Sequence, residues 1–185
     1  MRHKLLRVFR KLIMPDSELL IVGSKLYAKK ITRDGEEIDY GLQSRKLITN
    51  RGMITLLKAL GGFHNNDNNF SRAYAWHVAF GHTSGTGTNP ENFADTALQS
   101  PIQTTPIQAS TYNYFFDTTN QIYRLRSVAV LSYSAPATVS EHAVWTYNPS
   151  PGIWHFFDRS VLATPIVVLA GDTITFTYIL ELSRA

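Results

Sequence analysis

Six histidines, a glycine-rich run and a scatter of carboxylates are the residues of this 185-residue chain whose chemistry could serve catalysis or ligand binding. The run Gly81-His-Thr-Ser-Gly-Thr-Gly-Thr88 could turn backbone N–H groups toward a phosphate. No Lys-Ser or Lys-Thr pair follows it, and Asn89-Pro90 stands where a helix would have to start, so the phosphate-loop pattern fails. A flexible or partner-bound loop is expected there instead. His77 and His82, with His64 and Asp67 nearby in sequence, suggest a metal; zinc needs three or four convergent ligands at characteristic spacing, and strand alternation followed by Gly81 does not make these converge. His142 beside Glu141, and His155 between Trp154 and Phe156, read as strand-face residues.

Nucleophilic catalysis would need a serine or threonine with a histidine base and an orienting third group. The chain has no Gly-x-Ser-x-Gly elbow. Paired carboxylates for glycosidic cleavage would have to lie ~5–10 Å apart, whereas Asp95, Asp117, Glu141, Asp158 and Asp172 are scattered along the sequence. Asp158-Arg159 reads as a local ion pair at a strand end and Asp172 as part of a Gly-Asp turn. The expectation is a non-enzyme with no catalytic residue, cofactor or metal.

The elements that must position these residues are mostly strands. Leu19 to Thr32 and Glu36 to Tyr40 read as strands joined at Arg33-Asp34-Gly35, since Asp-Gly tolerates the positive φ of a tight hairpin. Thr49 or Asn50 can cap a helix over about 50–61, with Met53, Ile54, Leu56, Leu57 and Leu60 on its apolar face and Gly61-Gly62 as its stop. Phe63 to Phe70 is an asparagine-dense loop. Further strands are expected at Tyr74–Phe80, Ile102–Ala109, Tyr112–Phe116, Gln121–Tyr133, Thr138–Tyr147, Ile153–Asp158 and Thr173–Leu182. The last alternates Ile174, Phe176, Tyr178, Leu180 and Leu182 with Thr173, Thr175, Thr177 and Glu181. Arg124 and Arg126 share the phase of Ile122, Val128 and Val130, which a bulge near Ser127 or a covering partner would accommodate. Short strands punctuated by turns, with one helix, predict a mainly β fold: an antiparallel β-sandwich, jelly-roll-like, with one internal helix.

Composition sets the frame. One domain of this length buries a real core without disulfides, and the absence of cysteine removes both disulfides and thiolate metal sites. Such a chain can mature in a reducing cytosol and persist outside the cell. No apolar run reaches the ~18 residues that span a bilayer. Charge is uneven: residues 1–58 carry +7 and residues 59–185 carry −3, giving the overall +4. Only 17% of residues are charged, fewer than the roughly 25% of a typical domain, consistent with a surface partly covered by neighbouring chains or rich in Thr, Ser and Asn.

The basic excess begins with an arm, residues 1–16, ahead of a single sandwich domain, 17–185. Leu5, Phe9 and Leu12 recur at helical spacing among Arg2, Lys4, Arg7, Arg10 and Lys11, and Pro15 ends the pattern. So short an amphipathic helix is marginal alone and is expected to order against a partner. Its basic side could contact phosphates, but a pure nucleic-acid tail needs no apolar stripe. An acidic groove on another protein uses both halves and ranks first, with nucleic acid second and a membrane surface third.

Four pieces occur in a fixed order: Leu47-Ile-Thr-Asn-Arg-Gly-Met53 with Gly61-Gly62; Gly81 to Leu98, including Asp95-Thr-Ala-Leu98; Glu141-His-Ala-Val-Trp145; and Gly171-Asp-Thr-Ile-Thr-Phe176. In that order they resemble small β-rich virion proteins of tailed bacteriophages, across roughly residues 45 to 182. The resemblance implies a non-enzymatic structural protein of the virion, assembled in the host cytoplasm, homo-oligomeric and bound to major capsid or tail subunits. A capsid decoration (cement) protein attached through its arm is the first expectation. A tail or collar adaptor, or fibre-attachment protein, is the second, and a genome-contacting capsid protein the third.

Overall fold

The computed structural model describes residues 20–53, 79–120, 122–148 and 152–184. Among these described residues nine strands form two antiparallel sheets packed face to face. They are β1 (Leu20–Ile31), β2 (Glu37–Leu47), β3 (Ala79–Gly85), β4 (Ile107–Gln108), β5 (Thr111–Asp117), β6 (Ile122–Ser132), β7 (Ala137–Asn148), β8 (Ile153–Val168) and β9 (Thr173–Arg184). One sheet runs β2-β1-β9-β6-β5 and the other β4-β3-β7-β8. This is the β-sandwich the alternating pattern predicts.

Period-two alternation decides which side chains face the interior. On β9, Ile174, Phe176, Tyr178 and Leu180 are buried, and their partners Leu131, Ala129, Ser127 and Leu125 on β6 are buried with them. From the other sheet Phe80, Val139, Val144, Phe157 and Ile166 complete the core. The Asp-Gly hairpin forms as expected: Gly35 has φ 86°, and its N–H donates to the Thr32 carbonyl at 2.9 Å. Thr49 caps the helix start at Asn50, its Oγ1 accepting from the Gly52 N–H at 3.2 Å. Only residues 50–53 of the expected helix are described. The arm, the 63–70 loop and most of the Tyr74–Phe80 strand lie outside the described residues.

Four expectations are corrected. The strand expected to stop at Phe80 runs on to Gly85, so His82, Thr83 and Ser84 are buried ladder residues rather than loop. Polar residues hid this strand, because both its faces are covered. The strand expected over 102–109 shrinks to Ile107–Gln108, since Thr86 to Pro106 is a long crossing segment. The strand expected to end at Asp158 continues to Val168, which puts Asp158 and Arg159 in mid-strand. Finally, the β6–β9 register is regular through Ser127. Of the two accommodations expected there the bulge is absent; Arg124 is instead held by Glu181 and Asp117 on the outer face.

Candidate functional site

Most of the described residues singled out for their chemistry fall into three constellations around β7 and β8. The largest lies on the outer side of the smaller sheet, where Glu141 of β7 and Arg159 of β8 face away from the core. Both are fully buried, because Thr86 to Pro106 folds back over them. Arg159 Nε donates to Glu141 Oε2 at 2.7 Å, and its remaining nitrogens reach Asp95 Oδ2 at 3.0 Å and the Asn89 carbonyl at 3.1 Å. The Glu141 carboxylate also accepts the backbone N–H groups of Gly87, Gln99 and Ser100. Burial alone would raise its pKa. Donation from Ser100, Arg159, Gln99 and Gly87 outweighs that and holds it below the ordinary value.

This ion pair is therefore a lock for the crossing segment, which answers the glycine question. A Cβ at Gly85 would lie 2.5 Å from Glu141 Oε1, and one at Gly87 would lie 2.6 Å from the same atom. The glycines let backbone approach the carboxylate. They cradle the chain's own anion rather than a phosphate. The expected flexible or partner-bound loop is at its Gly85–Thr88 end a tied one. Leu98 completes the lock by packing on Ala143 and Phe156, beside Trp145, whose Nε1 donates to Thr83 Oγ1 at 2.8 Å. Glu91 extends the tie, accepting from Ser44 on β2 and from the Val161 N–H on β8.

Asp158 forms the second constellation, on the inner side of β8. Its carboxylate accepts from Ser24 Oγ and Tyr178 Oη, each at 3.0 Å, from Lys46 Nζ at 3.0 Å, and from the Thr49 N–H at 3.1 Å. Burial and the Asp158 charge drive the Tyr178 hydroxyl well above its usual pKa, so it serves as a donor. Asp158 and Arg159 are thus not a local pair; as strand neighbours they point to opposite sides and hold different partners. Ser24, Arg45, Lys46, Leu47 and Glu181 line an open cleft of about 420 Å³ beside this group.

The third constellation is a fully buried histidine pair. His82 Nδ1 lies 2.9 Å from His142 Nε2, and His82 Nε2 lies 2.8 Å from Ser127 Oγ. Among the described residues His142 Nδ1 has no hydrogen-bond partner. A bare acceptor is cheaper to bury than a stranded N–H, so the favoured tautomers have His142 Nε2–H donating to His82 and His82 Nε2–H donating to Ser127. Burial pushes His82 down to about 3, and burial with the charges of His82 and Lys46 takes His142 well below its usual value. A serine beside a histidine has the parts of a nucleophile, but neither Ser127 nor His82 meets solvent.

His155 is exposed on β8 and stands apart. Asp172 sits in the turn before β9, accepting from the Leu169 and Arg33 N–H groups and pairing with Lys30 at 2.8 Å. His64, Asp67, His77 and the eight partner-binding candidates of the arm, Arg2, Lys4, Leu5, Arg7, Phe9, Arg10, Lys11 and Leu12, lie outside the described residues. Among the described residues no three His, Asp or Glu side chains converge as metal ligands. Sequence reasoning missed Ser24, Lys46 and Ser127, for which the alternating phase of β1, β2 and β6 gave the sole available signal. Compared with known protein families, curated proteins and solved structures, the chain finds no match.

Proposed function

We propose that this chain is a non-enzymatic structural protein of a tailed phage virion, of the capsid-decorating kind, attached to neighbouring subunits through residues 1–16. One observation carries the reading. The four sequence pieces behind the resemblance are spent on architecture: Thr49 caps a helix against β8, Gly85, Gly87, Asp95 and Leu98 close the lock on Glu141, and Asp172 clasps the β1–β2 hairpin. Their order along the chain is thus the signature of a scaffold, which is what a shared structural protein would retain. The jelly-roll-like part of the reading is supported by four passages of the chain between the sheets: β2 to β3, β4 to β5, β6 to β7 and β8 to β9.

Deleting residues 2–14 tests this reading. The truncated protein is expected to keep the melting profile of the full chain and to lose attachment to particles. Electron microscopy of virions carrying labelled protein is expected to place it on the head. Label confined to the tail would overturn the decoration role, and turnover of a substrate by the purified chain would overturn the whole reading.

A further inference from the structure

Among the described residues the two sheets present four edge strands, and three of them are blunted. β2 meets β1 through two register shifts and carries charges at Glu37, Asp39, Arg45 and Lys46. β4 is two residues long and follows directly on Pro106. β8 breaks register with β7 twice and contains Pro165, while its Val161 and Thr164 N–H groups are taken by Glu91 and Gln43 side chains. These are the devices by which proteins keep a sheet edge from pairing with another chain.

β5 has none of them but a single charge, Asp117, at its end. Its seven residues, Thr-Tyr-Asn-Tyr-Phe-Phe-Asp, pair with β6 in unbroken register from Thr111↔Val128 to Asp117↔Ile122. It contains no Lys, Arg, Pro or Gly, and among the described residues no strand lies on its other side. Thr111, Asn113, Phe115 and Phe116 are exposed, the two phenylalanines by 42% and 39%. Phe116 stacks at 4.5 Å on Tyr123, itself 62% exposed, so an aromatic patch flanks the open backbone.

We infer that β5 is an assembly edge and that its occupant is β5 of a second copy, paired antiparallel about a two-fold axis at Tyr114. Self-pairing fits the charges. The only charged residue of β5, Asp117, is already bound by Arg124 and Asn120, and in the paired strands it would face Thr111 of the other copy, so no like charges meet. An isologous pairing of this kind closes on itself, leaving no free edge to propagate. The two five-stranded sheets would become one sheet of ten strands. This inference is independent of the virion reading and of the arm.

Sedimentation velocity on the full chain at micromolar to tens-of-micromolar concentration is expected to show a dimer. The double variant Asn113→Glu/Phe115→Glu keeps the fold, because each new carboxylate faces Arg126 or Arg124 on β6. Across the two-fold axis it sets Glu against Glu, and is expected to weaken association by about tenfold or more. Since the chain has no cysteine, Tyr114→Cys gives a second measure. Directly opposed residues of an antiparallel pair are within disulfide reach, so oxidation is expected to cross-link it, whereas Asp34→Cys in the exposed β1–β2 turn stays uncross-linked. A monomeric wild type, or a dimer that survives in the folded double-glutamate variant, would overturn the proposal. Should that variant misfold, the cross-linking pattern alone decides. Deletion of residues 2–14 is expected to leave the dimer intact, which separates this edge from attachment through the arm.

Discussion

Glu141 and His142 are neighbours on β7, both fully buried, and they solve the same problem in opposite ways. Glu141 points to the outer side of its sheet, keeps its charge, and meets Arg159 and three backbone N–H groups. His142 points into the core, gives up its charge, and leaves Nδ1 unsatisfied. A buried ion is tolerable only with a full set of partners, and the segment Thr86–Pro106 exists in its observed path to supply them. The imidazole can escape by staying neutral, so the core invests one hydrogen bond to His82 and a ring contact with Phe176. Lock and pair are therefore vulnerable to different insults, the first to loss of a partner and the second to acid.

Breaking the lock is expected to have the largest effect. Arg159→Ala strands the Glu141 carboxylate under the crossing segment, takes the guanidinium from Asp95, and removes this donor from the Asn89 and Pro90 carbonyls. Removing one partner of a buried pair costs about 3–5 kcal/mol, to be read from urea denaturation. Amide exchange is expected to lose protection first in residues 86–100, while the β1–β9 ladder stays protected. Uniform loss of protection would mean that the segment is part of the global folding unit and not a strap upon it.

The histidine pair sets the acid limit. In the unfolded chain each imidazole takes up its proton near 6.5, but folded His82 does so only at about 3, and His142 is also held well below 6.5. Between those values the unfolded state binds more protons, so this contribution is complete above 6.5 and declines as pH falls toward 3. The slope is about 1.4 kcal/mol per pH unit for His82, or roughly 2 kcal/mol by pH 5, and His142 contributes in the same direction. Asp172, lowered to about 2 by Lys30 and backbone donors, adds a loss only below its unfolded value of 3.8. Denaturation midpoints measured from pH 7 to 5 therefore lie above the range in which Asp172 contributes. Replacing His82 and His142 together with leucine is expected to flatten that slope, and an unchanged slope would assign acid lability elsewhere.

How much of this was visible in the sequence follows from the range of the interactions. Alternation marks β9 because one face meets core and the other does not; Asp34-Gly35 marks the first hairpin because the signal lies within four residues. His82 to Ser84 went unread as strand because a strand covered on both faces by polar partners shows no hydrophobic period. Arg159 looked tied to Asp158 because adjacency in sequence is all a single chain displays. Its true partners sit 18 and 64 residues away. The glycines at 85 and 87 were noticed, but their reason, a carboxylate 54 residues on from Gly87, is a tertiary fact.

Those glycines give the smallest and most discriminating prediction. Gly87→Ala places a methyl 2.6 Å from Glu141 Oε1 and 2.7 Å from Gln99 Cβ. The carboxylate cannot swing aside, since Arg159, Gln99 and Ser100 all hold it. Overpacking of this kind costs about 1–3 kcal/mol. Gly35→Ala is the useful contrast: nothing lies within 4 Å of its added methyl, and its φ of 86° carries the whole penalty, about 1 kcal/mol. A double-mutant cycle separates the two causes. In a Glu141→Ala background the clash with the carboxylate disappears and only the contact with Gln99 Cβ remains, so Gly87→Ala costs less than it does in the wild type, while Gly35→Ala costs what it did before. Additive behaviour at Gly87 would mean that the approach to Gln99, and not the approach to Glu141, is what requires glycine.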